Sequence, residues 1–306
     1  MSEIHILQTQ DLPESCEAWL AARYTLHRSD GLVLSADLRN SIRAIVGANV
    51  PARLIAALPN LEIIACFGVG YDSVDIDAAR GRGIRVTSTP DVLNNAVAEL
   101  TIGLMIALAR KITQADSFVR RGLWLTSPFP LQRELSGTTV GILGLGRVGK
   151  EIARRADAMR MSVVYHGRRA QEDQPYRYYD SLLEMAQAVD WLVLAAPGSV
   201  HTEKIVSRRV LEILGPRGML VNVGRGSLVD EVALIALLES EMLGGAALDV
   251  FQSEPAIADE LRRLDNVVLS PHIGSATVET RDAMGQSLAE SVRRHFVGEA
   301  LPYRVV

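Results

Sequence analysis

Residues 139–156 read TVGILGLGRVGKEIARRA, and no other stretch restricts the fold of this chain as strongly. Thr139–Leu143 is a short β-rich run, Gly144, Gly146 and Gly149 are spaced G-x-G-x-x-G, and a helical pattern opens at Lys150. Each glycine has its own reason. The first permits a tight turn, the second lets a phosphate approach the backbone, and the third lets helix and strand pack in contact. The helix N-terminus then presents free N–H groups and the positive end of its dipole. A hexapeptide like this is common by itself. Between a strand and a helix, with another strand about 15 residues on, it predicts a nucleotide pyrophosphate site made by Gly144, Leu145, Gly146, Arg147, Val148 and Gly149.

Short apolar runs alternate with helical patterns along most of the remaining sequence. Candidate strands are Ile4–Leu7, Leu32–Leu34, Ile63–Cys66 and Ile84–Thr87, then Thr139–Leu143, Ser162–Tyr165, Trp191–Ala195, Met219–Val223, Gly245–Leu248 and Val267–Leu269. Lys150–Met159, Asp230–Met242 and Val278–Phe296 are among the helical stretches between and after them. This order predicts an α/β protein with parallel sheets covered on both faces. The 306 residues suggest two domains. Between the two strand series a long helical pattern, Val92–Val119, is apolar on most sides and should be buried all round. The loop after it, Arg121–Leu135, carries Trp124 and Phe129 and is too apolar for a free solvent loop, so packing against a second subunit is expected, with the chain's own surface as the alternative.

Composition removes several classes. A net charge of −4, with no basic stripe beyond Arg168 and Arg169, argues against nucleic acid. The longest apolar-rich run, Leu100–Ala109, is about half a membrane span, so no membrane partner is expected. The N-terminal residues MSEIHILQTQ lack a basic region followed by an apolar run, which argues against a signal peptide. Cys16 and Cys66 lie in no metal or redox spacing, as expected of reduced thiols in a cytoplasmic protein without a metal.

At the end of the strand after the glycine turn, VVYHGRR stands where an NAD site usually has an acid for the ribose hydroxyl. His166 and Gly167 occupy that position, and Arg168 and Arg169 follow. Arginine suits a phosphate dianion, so the segment predicts NADP(H) as preferred cofactor, with NAD(H) possible. Glu172 or Asp173 taking the acid's role is the alternative.

Six histidines are present, and one has a distinctive address. His272, in LSPHIGS, follows a strand end, where open α/β sheets bind ligands. His5, His27, His166, His201 and His295 do not share that context. Arg225, in VNVGRGS, and Glu254, in DVFQSEP, follow two other strand ends. Three unrelated surface groups would satisfy the residue types equally. If the three converge, they suit reduction of a 2-oxo acid. Arg225 would hold the carboxylate and polarise the carbonyl, His272 would give the proton, and Glu254 would fix the imidazole tautomer.

The segments VNVGRGSLVDE, ALDVFQSEP and LSPHIGSAT, with FGVGYDSVD and VTSTPDVLNNAVAE upstream, resemble the D-isomer-specific 2-hydroxyacid dehydrogenases. Within that family PDVLNNAVAELTIGLMIALAR and VVYHGRR are most similar to NADPH-preferring glyoxylate/hydroxypyruvate and hydroxyphenylpyruvate reductases. The resemblance implies that Arg225, Glu254 and His272 are the catalytic set. It places the substrate carboxylate on backbone N–H groups of Val69 and Gly70. It also puts Asp249 and the Val223 carbonyl near the nicotinamide amide, with Pro197 and Thr202 bordering the cofactor. The implied architecture is a Rossmann-type dinucleotide domain, residues 95–277, inserted into a flavodoxin-like substrate domain of residues 1–94 and 278–306. A cleft between the domains and a homodimer through the long central helix are implied as well. The expected activity is NADPH-dependent reduction of glyoxylate or hydroxypyruvate. A bulkier acid such as hydroxyphenylpyruvate, or a nucleotide-sensing protein like the corepressors that share this fold, are the alternatives. Pocket size would be set by side chains such as Phe67, Tyr71, Trp124, Phe129 and Met284.

Overall fold

The computed structural model describes residues 3–28 and 34–306. Twelve strands are present among them: β1 (His5–Gln8), β2 (Thr25–Arg28), β3 (Ile42–Gly47), β4 (Ile63–Cys66), β5 (Arg85–Thr87), β6 (Thr139–Leu143), β7 (Ser162–His166), β8 (Arg177–Tyr179), β9 (Trp191–Leu194), β10 (Met219–Asn222), β11 (Gly245–Leu248) and β12 (Val267–Leu269). They fall into two compact units. The first comprises Met1–Leu93 and Ala276–Val306, and the second, Asn94–Ser275, is inserted within it.

The first unit is built on a five-stranded parallel sheet in the order β2-β1-β3-β4-β5, a flavodoxin-like arrangement. The second has a seven-stranded sheet ordered β12-β11-β10-β9-β6-β7-β8, also parallel throughout. Read from β8, this is the doubly wound 3-2-1-4-5-6 order with one strand added at the far edge. The order reverses beside β6, so the glycine turn that follows β6 stands at the topological switch point. Strand β9 shows why such strands read as unbroken apolar runs. Leu192 and Leu194 enter the core on one face of the sheet, while Trp191 and Val193 enter the core on the other.

Several sequence expectations are corrected. The candidate strand Leu32–Leu34 lies, except for Leu34, outside the described residues, and Leu34 is in no strand. Three strands, β2, β3 and β8, had no counterpart in the sequence reading. β2 and β8 are short and only half-buried or exposed, so neither shows clear alternation. β3 follows the helix Ala36–Ser41 without an intervening turn residue, which hides the boundary.

The long helical pattern is two helices, Asn94–Arg110 and Ile112–Arg120, separated by Lys111 in the left-handed region at φ 47°. Its apolar face is not free for a partner. Val97, Leu104 and Leu108 are at most 8% exposed within the chain itself. Leu104 and Leu108 pack with Val140, Ile142, Val221 and Val268 of the sheet, and Leu100 lies partly buried against the same core. The apolar surface that remains is further on: Ile112, Val119, Trp124, Leu125 and Leu131 are exposed, Leu125 at 91% and Leu131 at 100%.

The glycine turn depends on contact between backbones. A Cβ at Gly149 would stand 2.1 Å from the Gly144 carbonyl oxygen, whereas one at Gly146 would meet nothing within 4 Å. Gly149→Ala must therefore spread helix from strand, and is expected to lower stability by about 1–3 kcal/mol. Gly146→Ala, at the helix N-cap, should cost about 1 kcal/mol or less. Urea unfolding of the two variants checks this; equal losses would mean the close approach is not what requires Gly149.

Candidate active site and dinucleotide cradle

The helix Arg147–Ala158 is preceded by Gly146 at its N-cap, and no side chain caps it. The first N–H groups of this helix therefore have no capping side chain, and a Cβ at Gly146 would meet nothing within 4 Å. Gly144, at φ 97°, makes the tight turn, and its N–H donates to the His166 carbonyl at 2.9 Å. That bond joins the glycine turn to the end of β7. An uncapped helix end, an open Gly146 and a Gly149 that admits no side chain fit the pyrophosphate of a dinucleotide.

Around the far end of the cradle, His166 Nδ1 donates to the Tyr179 carbonyl at 2.8 Å, and its ring stacks on Tyr178. Tyr178 donates its hydroxyl to the Gly167 carbonyl at 3.1 Å. Strand β8 therefore fixes the segment that carries Arg168 and Arg169, both exposed. Gln171 reaches back to the Leu145 carbonyl at 2.8 Å, and Asp173 pairs with Lys150 at 3.4 Å. Across the sheet, Thr202 donates its hydroxyl to the Pro197 carbonyl at 2.9 Å. Val223, whose N–H donates to the Leu194 carbonyl at 3.2 Å, continues the same strand-end rim.

Arg225, Glu254 and His272 come from the loops after β10, β11 and β12, which are neighbours in the sheet. His272 Nδ1 lies 2.6 Å from Glu254 Oε2, close enough for a charge-assisted bond. Glu254 Oε1 also accepts from the Phe251 N–H at 2.9 Å. Burial raises the Glu254 pKa, but the His272 hydrogen bond, the Phe251 N–H and the positive charges of His272 and Arg225 outweigh it. The carboxyl is held below its ordinary value of 4.5. Arg225 is thus near enough to act on Glu254 through its charge. Its loop abuts the Glu254 loop directly, since a Cβ at Gly226 would stand 1.9 Å from the Phe251 carbonyl carbon. With Nδ1 committed to Glu254, His272 retains Nε2 for proton transfer.

Two residues hold this arrangement that the sequence reading did not assign to it. Asn222 brackets the arginine: its Nδ2 donates to the Arg225 carbonyl at 2.9 Å, and its Oδ1 accepts from the Gly224 N–H at 3.1 Å. Asp249, 1% exposed, organises the histidine loop. Its Oδ1 accepts from the Ser270 hydroxyl at 2.6 Å and the Ile273 N–H at 2.9 Å, and its Oδ2 from the Gly274 N–H at 2.8 Å. The His272 N–H donates to the Asp249 carbonyl at 2.9 Å. The sequence reading expected Asp249 near the nicotinamide amide and gave it no part in shaping the histidine loop.

Val69 and Gly70 are in the first unit, in the loop that follows β4. The other histidines have local partners or none of catalytic type. His5 Nδ1 lies 2.9 Å from His27 Nε2. His295 accepts from Arg85 at Nδ1, so it must donate from Nε2 to Glu62, both at 3.1 Å. His201 is exposed. Burial pushes the Cys16 thiol up to about 11 and the Cys66 thiol up to about 12, as for unreactive core thiols. Among the described residues no helix is long and apolar enough to cross a membrane.

Comparison with known proteins agrees with this geometry. Residues 102–274 match the D-isomer specific 2-hydroxyacid dehydrogenase, NAD binding domain. The glyoxylate/hydroxypyruvate reductase A of Arabidopsis thaliana is 45% identical over 313 residues, spanning 100% of both chains. The hydroxyphenylpyruvate reductase of Plectranthus scutellarioides is 43% identical, again across 100% of both. Among solved structures, the NADPH-dependent glyoxylate/hydroxypyruvate reductase of Sinorhizobium meliloti, in complex with NADP and malonate, superposes with a TM-score of 0.96 at 40% identity. That match covers 100% of this chain and 97% of the other. A helix end shaped for pyrophosphate, a strand-end histidine bonded to a glutamate, and relatives matched end to end all lead to one assignment: the chain belongs to the D-isomer specific 2-hydroxyacid dehydrogenase family.

Proposed function

We propose that the protein reduces small 2-oxo acids, glyoxylate and hydroxypyruvate, to the 2-hydroxy acids with NADPH as preferred cofactor. The observation that carries this reading is the 2.6 Å His272–Glu254 pair beside Arg225, at the ends of three adjacent parallel strands. Residues 94–275 serve as the dinucleotide domain and the remainder as the substrate domain. A nicotinamide dinucleotide, when bound, supplies the hydride. Arg225 orients the acid by its carboxylate and draws electron density onto the carbonyl oxygen. His272 delivers the proton to that oxygen from Nε2, and Glu254 keeps the ring turned and the charge compensated. Val69 and Gly70 offer their N–H groups to the carboxylate. The Val223 carbonyl and Asp249 face the carboxamide; Asp249 Oδ2, with one donor, has capacity for another. Pro197 and Thr202 border the cofactor.

A bulkier substrate has one observation in its favour. A cavity of about 230 Å³ adjoins the His272–Glu254 pair, with Phe251, Pro255, Ile257 and Leu269 among its walls. It would accept an aromatic side chain such as that of hydroxyphenylpyruvate. A panel of the three acids with NADPH, followed by nicotinamide absorbance, decides between these readings. No turnover of any 2-oxo acid would instead favour a nucleotide sensor. Two buried free thiols suit the reducing cytoplasm, where we place the protein.

His272→Asn should reduce turnover about 10²–10⁴-fold while cofactor binding stays near that of the parent. Glu254 must be ionised to accept from His272, and its pKa is depressed. Reductase activity should therefore persist at acidic pH and fall only as pH drops through a value below 4.5. Glu254→Gln should be slower and lack that acid limb. An unchanged rate in His272→Asn removes the proton-donor role.

For the cofactor, Arg168 and Arg169 end a strand that offers no carboxylate to repel a 2′-phosphate. Losing one charge-assisted contact corresponds to about 10–100-fold in affinity, so Arg168→Ala should reduce the NADPH-to-NADH ratio of kcat/KM by that factor. High salt should weaken NADPH more than NADH. A ratio indifferent to Arg168 would move the ribose contact to Glu172.

Association is proposed through the exposed segment Ile112–Leu131, with Val119, Trp124 and Leu125, in place of the face of the preceding helix. Sedimentation should show a homodimer at micromolar concentration, and Trp124→Lys with Leu125→Glu should shift it to the 33.3 kDa monomer. A parent sedimenting only as monomer rejects the dimer.

A further inference from the structure

The loop after β4 in the first unit is short of acceptors. Phe67 donates its N–H to the Gly47 carbonyl at 2.9 Å, and Thr89 donates its N–H to the Gly68 carbonyl at 2.9 Å, which holds the loop. The N–H groups of Gly68, Val69 and Gly70 meet no backbone carbonyl among the described residues, and all three residues are partly exposed. Beside them Thr89 Oγ1 is buried without a hydrogen-bond partner.

The same loop faces a cation. Arg281, in the first turn of the helix Val278–Phe296, lays its guanidinium over the Phe67 ring, 5.5 Å from the centroid. Among the described residues no carboxylate pairs with it, and burial alone lowers its pKa. Several other partly buried arginines are differently placed: Arg43 holds Glu62, Arg155 holds Glu151 and Arg293 holds Glu290. Arg281 has, besides its partial desolvation, the positive end of a helix dipole close by. A cation in that setting is stabilised by an anion, and none of the described residues provides one.

We propose that Arg281 is a specificity-determining residue, the positive charge of an anion cradle in the first unit whose other donors are the Val69 and Gly70 N–H groups. The cradle takes the carboxylate of the 2-oxo acid and selects acids over their neutral analogues. This rests on the proposed reductase activity and deepens it. Arg225 acts from the second unit, whereas Arg281 gives the first unit a charge of its own.

The test compares glyoxylate with its neutral amide, glyoxylamide, at saturating NADPH in the parent, Arg281→Gln and Arg281→Lys. Arg281→Gln should raise the KM for glyoxylate about 10–100-fold, the usual effect of losing one hydrogen bond to a charged group. Its kcat should change little, and kcat/KM for glyoxylamide should stay near the parent value. Arg281→Lys, which keeps the charge without the planar fork, should recover part of the loss. Loss on both substrates alike would assign Arg281 a structural role and overturn the proposal, as would an unchanged acid-to-amide ratio. Where Arg281→Gln does not fold, the Arg281→Lys ratio decides: equality with the parent on both substrates overturns it. A parent inactive on every 2-oxo acid rejects the reductase reading alone. Calorimetric titration with oxalate then tests the cradle, with tighter binding to the parent than to Arg281→Gln expected and equal affinities overturning it.

Discussion

The histidine loop is built around one buried carboxylate. Asp249 leaves water at the end of β11, and removing a charge from water is costly unless donors surround it. Ser270, Ile273 and Gly274 provide three, all from the segment after β12. Satisfying them forces that segment into a tight turn, and His272 takes φ 53° within it. A side chain other than glycine is disfavoured there by about 1–2 kcal/mol. The buried carboxylate, with the His272 N–H on its own backbone carbonyl, offsets this. The orientation that results sends Nδ1 to Glu254 and leaves Nε2 available. The imidazole is aimed by a residue that does not touch it with its side chain.

Parallel strand order makes this economical. Loops after β10, β11 and β12 leave the same end of the sheet side by side, so three short connections deliver an arginine, a glutamate and a histidine. Close packing then sets the spacing. Gly226 lets the arginine loop lie against the Phe251 backbone, and Asn222 clamps both ends of the Gly224–Arg225 turn. The glycine cradle after β6 uses the same device, with backbone against backbone at Gly144 and Gly149. In each place a missing side chain gives precision, because a backbone cannot yield as a flexible side chain can.

Electrostatics divides the acids of the site by environment. Asp249 is enclosed and held by neutral donors, while Glu254 is 34% exposed and stabilised by the positive groups near it. The exposed pair of arginines after β7 is held differently again, by a strand, β8, that fixes His166 and Gly167. Asp249, Glu254 and the arginine pair thus occupy three distinct settings at the strand ends of one sheet.

What the sequence determined is what depends on neighbours in the chain. The glycine spacing declared its turn and helix, the short apolar runs declared buried parallel strands, and Arg225, Glu254 and His272 stood out because each lies in the segment after a strand. The matched segments extended this to the family. Other features rest on contacts between distant residues, and those the sequence could not carry. Asn222 reads as an ordinary strand-end residue until its amide is seen on both sides of Arg225. The strands β2 and β8 belong to sheet edges, where weak alternation leaves no signature and only pairing defines them. The apolar pattern from Val92 to Val119 looked like one interface helix. The backbone reverses its hand at Lys111, the sheet covers Leu104 and Leu108, and Val97 is buried as well, so the exposed apolar surface moves to the residues beyond. Periodicity records that a face is apolar; only the tertiary structure decides what buries it.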